Sequence, residues 1–368
     1  MTPEQRAAEA DKTSVAYQVA LTQIGAATIE DAIKIWAGVP PTATAATAGR
    51  WLSEAVRLVM TRRGQARALA MAYYRLVRAL RTGRTIADPR EPAPRYVTLA
   101  MLRDEFAELA GEPAQKPQEG GERSTPSTTT DAPSTGADDA QGGQDDSFNE
   151  DRIPVEKVDG NSAAEENRLA RLAEQEARIV LEALGPKNLE DKVSQLDTDA
   201  PAKEVDAARQ DAHKAAGSRQ ASAAERIAMD GGRGTVWNYA ARDKRVIGYV
   251  RVSQTGTPCG WCAMLISRGL VRKGDLYKSK ASAEYSDGDK YHDNCHCVAE
   301  PVYSDTQFNS PLYDLNRKYA KEWPTVTKGL SGKAALSAWR RFIRLEQERL
   351  AQEASQPRAQ EASSARRT

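Results

Sequence analysis

Two short stretches concentrate the residues able to do chemistry: PCGWCAMLISRGL at 258–270 and YHDNCHC at 291–297. All four cysteines (Cys259, Cys262, Cys295, Cys297) and two of the three histidines (His292, His296) fall within the 39 residues 259–297. The layout is C-x2-C, a gap, then H-x2-C-x-C. Zn²⁺ takes four nitrogen or sulfur ligands tetrahedrally, commonly as two short-spaced pairs brought together by a turn. Cys259 and Cys262 form a knuckle-like pair. Cys295 and Cys297, two apart on an expected strand, point to one face; His292 is able to replace one of them, whereas His296 is expected to point away. A module with one hairpin and one short helix has little core, so a bound metal would contribute folding free energy directly.

Other chemistries remain open at this point. A strand, a loop, C-x-x-C and a helix is the order in which a helix N-terminus lowers a thiol pKa for redox work. The remaining thioredoxin-like βαβ pattern is missing, and that use leaves H-x2-C-x-C without a role. A thiol hydrolase needs a base within reach of its sulfur. His292 or His296 with Cys259 or Cys262 meets that need, with Asp293 to orient the ring. His213, alone on a polar helix, reads as solvated surface. No G-x-S-x-G is present, so Ser253 and Ser267 are poor nucleophile candidates. Disulfides are a further possibility in an oxidising setting. Trp237, Tyr239, Tyr249 and Trp261 read as core of the small module, and Glu284, Asp287 and Asp289 as a solvated loop.

The elements that must position these residues are mostly helices. Residues 1–112 read as an N-terminal helical domain: Trp51, Ala55, Leu58, Val59, Leu69, Ala72, Tyr73, Leu76 and Leu80 recur at three- and four-residue steps. Arg57, Arg62, Arg63, Arg67, Arg75 and Arg78 fall mainly off that stripe, which predicts a basic outer face. DPREPAP at 88–94 interrupts the pattern, and 96–109 looks like a last short helix. Residues 113–161 are rich in Pro, Gly, Ser, Thr and Asp, with almost nothing to bury, and read as a disordered acidic linker. A helical segment at 162–230 begins with the capping box SAAE. It runs through Leu169, Leu172, Ile179 and Leu184, breaks at Gly185–Pro186, and resumes from Pro201 to about Met229, where GGRG closes it. The Cys/His module spans 231–304, with strands at 245–253 and 295–304. A tail at 305–368 carries one amphipathic helix through Leu336, Trp339, Ile343 and Leu350. The expected fold is mainly α-helical and multi-part, with one small α+β Cys/His module (a β-hairpin plus a short helix) and a disordered linker.

Composition narrows the function classes. The chain has 368 residues, 40% hydrophobic but only 6% aromatic, which suits helices joined to solvated segments better than one large core. Formal net charge is +1, so whole-chain charge balance says nothing about a nucleic-acid or membrane partner. Its distribution is uneven: ten arginines lie between Arg57 and Arg95, while 131–151 is acidic with no Lys or Arg. No run approaches the ~20 apolar residues that cross a bilayer. MTPEQRAAEADK lacks the layout of a signal peptide, so a reducing cytoplasm is the expected site of synthesis.

GGRGTVWNYAARDKRVIGYVRVSQTGTPCGWCAMLISRGLV (231–271), followed by DGDKYHDNCHCVAEPVY (287–303), resembles the MuF-like minor capsid (head morphogenesis) proteins of tailed phages. It is most similar to the form carried by phages of actinobacteria. The matching positions are Cys259, Cys262, His292, Cys295 and Cys297, with Trp237 and the GYVRVS strand. The resemblance is specific over roughly 230–304, looser over the N-terminal helices and absent in the linker and tail. It implies a virion protein of the phage head interior, present in few copies and assembled in the host cytoplasm. Its implied partners are the portal and the major capsid or scaffold proteins. Proteins of this kind are often labelled capsid maturation proteases, which here would use Cys259 or Cys262 with His292. The arginines Arg62, Arg63, Arg67, Arg75 and Arg78 add packaged DNA as a candidate partner.

Overall fold

The computed structural model describes residues 1–111, 148–158, 160, 162–197, 199–253, 258–273 and 291–365, with side chains as far as 353. Most of the expected linker, and the loop with Glu284, Asp287 and Asp289, lie outside the described residues.

Three long helices form the frame: α1 (Pro3–Trp36), α2 (Gly49–Thr82) and α6 (Ala202–Arg242). Thr2 starts α1 with a complete capping box to Gln5. Gly83, in the left-handed region, ends α2. Tyr17 of α1 stacks on Tyr73 of α2 at 4.1 Å, and Trp36 meets Trp51 edge-on at 4.9 Å. The helices on either side of the linker thus pack into one bundle, although they are far apart in sequence.

GGRG does not close α6. The helix runs on to Arg242, so the boundary expected at 230/231 falls inside it. The reason is close packing: a Cβ at Gly231 would sit 2.3 Å from the Arg63 carbonyl oxygen of α2, and one at Gly217 would sit 2.4 Å from Trp36. Helix–helix contact offsets a glycine cost of roughly 1 kcal/mol per residue. Gly185–Pro186 likewise does not end a helix outright. Helix α4 (Ala163–Glu182) passes through a π-helical turn, Ala183–Lys187, into α5 (Asn188–Val193), with Gly185 seated against Trp51. Ser162 caps α4 by accepting the Glu165 amide hydrogen, but the Glu165 carboxylate turns to Arg168 instead of completing the box.

Two small sheets attach to the frame. In the first, β3 (Ile153–Glu156) lies between β1 (Thr85–Ile86), parallel, and β2 (Tyr96–Val97), antiparallel. The end of the segment expected as linker is therefore an ordered strand, with Ile153 buried against the bundle core. Helix α3 (Leu99–Ala110) follows β2. In the second sheet, β4 (Gly248–Val252) is central, antiparallel to both β5 (Leu270–Arg272) and β6 (Val298–Val302). The expected hairpin is thus present with a third strand added. Helix α7 (Gly260–Ile266) connects β4 and β5. The tail holds two helices rather than one, α8 (Asp314–Val326) and α9 (Gly332–Ala365). Tyr319 and Trp323 of α8 pack on Trp339 of α9, and the three cluster with Ala263 and Ile266 of α7.

The expected basic outer face is corrected. Arg62 pairs with Asp31, Arg67 with Asp88 and Glu166, and Arg75 with Glu105, while Arg63 donates to the Ile227 carbonyl. Arg78 is buried, 2.5 Å from both Asp243 and Glu156. These cations hold the frame to its neighbours.

Candidate metal centre

Cys259 is the N-cap of α7, and its sulfur accepts the Cys262 amide hydrogen at 3.3 Å, which holds C-x2-C in a knuckle. The second stretch turns at Asn294, the one non-glycine with positive φ (59°) among the described residues, and enters β6 just after Cys297. That turn sets Cys295 and Cys297 on one side, with their sulfurs 3.0 Å apart, as their spacing predicts. Cys262 completes a buried triad, 3.4 Å from each. His292 Nε2 lies 3.0 Å from Cys259 Sγ and 3.4 Å from Cys262 Sγ. The donors therefore form two triads that share Cys262: Cys259–Cys262–His292 toward the surface and Cys262–Cys295–Cys297 inside. All four cysteines are free thiols.

The donor set fits a metal ion. The His292 Nδ1 faces the Asp293 carbonyl at 2.7 Å, so a hydrogen held there would leave Nε2 to turn its lone pair on an ion once its own proton is displaced. With metal–sulfur bonds of ~2.3 Å, a tetrahedral centre sets its sulfurs about 3.8 Å apart. The sulfurs of the inner triad, 3.0 to 3.4 Å apart, would open by roughly 0.4 to 0.8 Å to admit an ion of that kind.

The electrostatics are mixed. Hydrogen bonds from Cys262 and His292 hold the Cys259 thiol down at about 4, and the contact with Cys259 raises His292 to about 9. Burial opposes ionisation of Cys297, but hydrogen bonds from Cys262 and Cys295, aided by Arg251 and Arg233, hold it well below the usual thiol range. Cys262 is pushed up by its hydrogen bonds to the other thiols. For Cys295, the hydrogen bond with Cys262 favours the thiolate, yet that with Cys297 and burial push it up to about 11. Full ligation requires every donor to be deprotonated and would release protons held on the thiols and on His292.

His296 points away from the thiols, as expected, with Nε2 4.0 Å from the buried Glu225. His213 is not solvated surface: it stacks on Trp36 at 5.1 Å, and its carbonyl accepts the Trp36 indole hydrogen. Ser267 is occupied locally, donating to the Met264 carbonyl. Asp293 does not orient the His292 ring through its carboxylate, which pairs with Arg226. Trp237 packs edge-on to Tyr249, and both Tyr239 and Tyr249 are buried, in keeping with a core role. Trp261 is half-buried at the edge of His292.

Sequence reasoning missed Tyr291, Arg233 and Arg251, which close the inner side of the site. Both guanidiniums pack over the Tyr291 ring, Arg233 at 4.3 Å and Arg251 at 4.4 Å from its centroid. No local signal marks them, because Arg233 comes from α6 and Arg251 from β4.

Residues 165–325 match the model of the VG15 protein family, a phage-derived viral family, and that stretch includes all five donors. No curated protein and no solved structure matches the chain. The similarity suggests a phage protein. Among the described residues, no helix is long and apolar enough to cross a membrane.

Proposed function

We propose that this chain is a MuF-like minor capsid protein acting in phage head morphogenesis, and that its Cys/His cluster holds a structural zinc ion. The observation that supports this best is the convergence of five soft donors inside the stretch similar to a phage family. Zinc suits the site because it is redox-inert and takes tetrahedral sulfur and nitrogen ligands. Cys259, Cys262, His292, Cys295 and Cys297 are the donors from which four positions are filled. The ion would tie the start of α7 to the start of β6. Partners in this proposal are the portal and the major capsid or scaffold proteins. The protein would reside in the head interior after assembly in the host cytoplasm.

The purified full chain should carry about one zinc, and mass spectrometry of purified virions should find it in few copies per head. A metal-free, stably folded chain would defeat the zinc assignment, and absence from virions would defeat the capsid role.

The short contact between Cys259 and His292 favours one alternative, a capsid maturation protease with these residues as nucleophile and base. Substituting His292 should then leave the major capsid protein uncleaved in assembled heads. Continued processing by a folded H292A protein eliminates that alternative.

A further inference from the structure

Among the largest fully buried side chains of the described residues are two arginines set against the thiols. Arg233 of α6 donates through Nη2 to the Cys295 carbonyl. Arg251 of β4 places Nη1 3.6 Å from Cys297 Sγ. Both guanidiniums press on the faces of Tyr291, whose hydroxyl accepts the Ala299 amide hydrogen. Asp230 stands 3.4 Å from Arg233 and shares its charge. A guanidinium withdrawn from water is costly unless a compensating negative charge lies close by. A divalent ion with three thiolates and one imidazole carries a net charge of about −1, and one with four thiolates about −2.

We propose that Arg233 and Arg251, both packed on Tyr291, are the built-in counter-charges of a thiolate-rich, net-anionic metal centre. This rests on the metal-centre assignment made above. The clamp gives the inner triad a role different from the outer one. Cys262, Cys295 and Cys297 lie on the cationic side, whereas Cys259 and His292 face the surface. A centre built this way favours thiophilic ions such as Zn²⁺ and Cd²⁺, which keep several thiolates, over hard oxygen-seeking ions. It also ties the centre to α6, and so to the bundle.

The test is zinc competition against a chromophoric chelator, made on the full chain and on R251M, R251K, R233M and R233K. R251M should bind zinc more weakly by on the order of 10- to 100-fold, the range seen when groups supporting metal ligands are removed. R251K, which keeps the charge, should recover most of that loss, and the R233 pair should behave alike. Melting of the chelated proteins separates charge from packing. Without metal the net-anionic centre is gone, so R251M should lose less melting temperature relative to the wild type than it does with metal bound. If R251M does not fold, R251Q takes its place and must bind more weakly than R251K. Wild-type affinity in folded R251M overturns the proposal, as does a lysine no better than methionine or an equal loss of melting temperature with and without metal. A wild-type chain that binds no zinc removes the metal centre itself.

Discussion

In the bundle, Tyr17, Leu21, Leu69, Tyr73 and Leu80 belong to one continuous apolar core. Across the joint, the thiol side of the β4–β6 sheet buries Cys262, Cys295 and Cys297 under Trp261 and Tyr291, with two arginines behind them. The first region is large enough to order itself by burial. The second has only a small apolar cluster around its donors, while Val250, Val252, Val298 and Val302 of the same sheet belong to the bundle core. A chain that has one region of each kind is expected to lose them separately.

Metal removal separates them most sharply. Chelation, or Cys262→Ser, which touches both triads, should unfold the region around α7 and β6 while the α1–α2–α6 helicity persists. Hydrogen exchange would read this as loss of protection confined to 258–273 and 291–302. Global unfolding would mean that the two regions are one cooperative unit. Zinc affinity should also rise with pH, since ligation displaces protons from Cys262 and Cys295.

Arg78→Met attacks the bundle side. It leaves the Asp243 carboxylate, which also accepts from Tyr74 at 3.0 Å, without its buried cation. Removing one partner of a buried pair costs about 3–5 kcal/mol. Denaturant melts should show that loss, with zinc binding retained.

Glu300 is the sharpest probe of the joint. This β6 carboxylate is buried and accepts hydrogens from Ser14 of α1 and Tyr73 of α2, each at 2.6 Å. Burial raises it to about 6, against an ordinary 4.5. Below pH 4.5 it is protonated in both folded and unfolded chains and costs nothing. Between pH 4.5 and 6 the unfolded chain ionises while the folded one stays protonated, so stability falls by about 2 kcal/mol and levels off above 6. Glu300→Gln should remove this pH dependence and stabilise the protein at neutral pH. Stability that rises between pH 4.5 and 6 in the wild type but not in the variant would reverse the assigned sign.

The smallest expected effect concerns DNA. Because Arg62, Arg67, Arg75 and Arg78 are ion-paired within the chain, duplex binding should be weak, with a shallow salt dependence and little change in R62A. A steep salt slope abolished by these substitutions would restore the arginines as a DNA face.

Local residue chemistry by itself determined the donor set, the helical class and the C-x2-C knuckle, because spacing over a few residues fixes which sulfurs share a face. Cys259, Cys262, His292, Cys295 and Cys297 were therefore legible, and so was the outward turn of His296. Only the tertiary structure decided what surrounds them. GGRG reads as a helix stop, since glycine propensity is local, but the contact of Gly231 with the α2 backbone carries the helix through it. The arginines of α2 read as an exposed face, because their partners Glu156, Glu166 and Asp243 lie far along the chain. Arg233 and Arg251 carry no motif and meet the thiols only when α6 and β4 are packed. Ligand types are a property of sequence; the charge and burial that tune them are long-range sums over neighbours that only folding assembles.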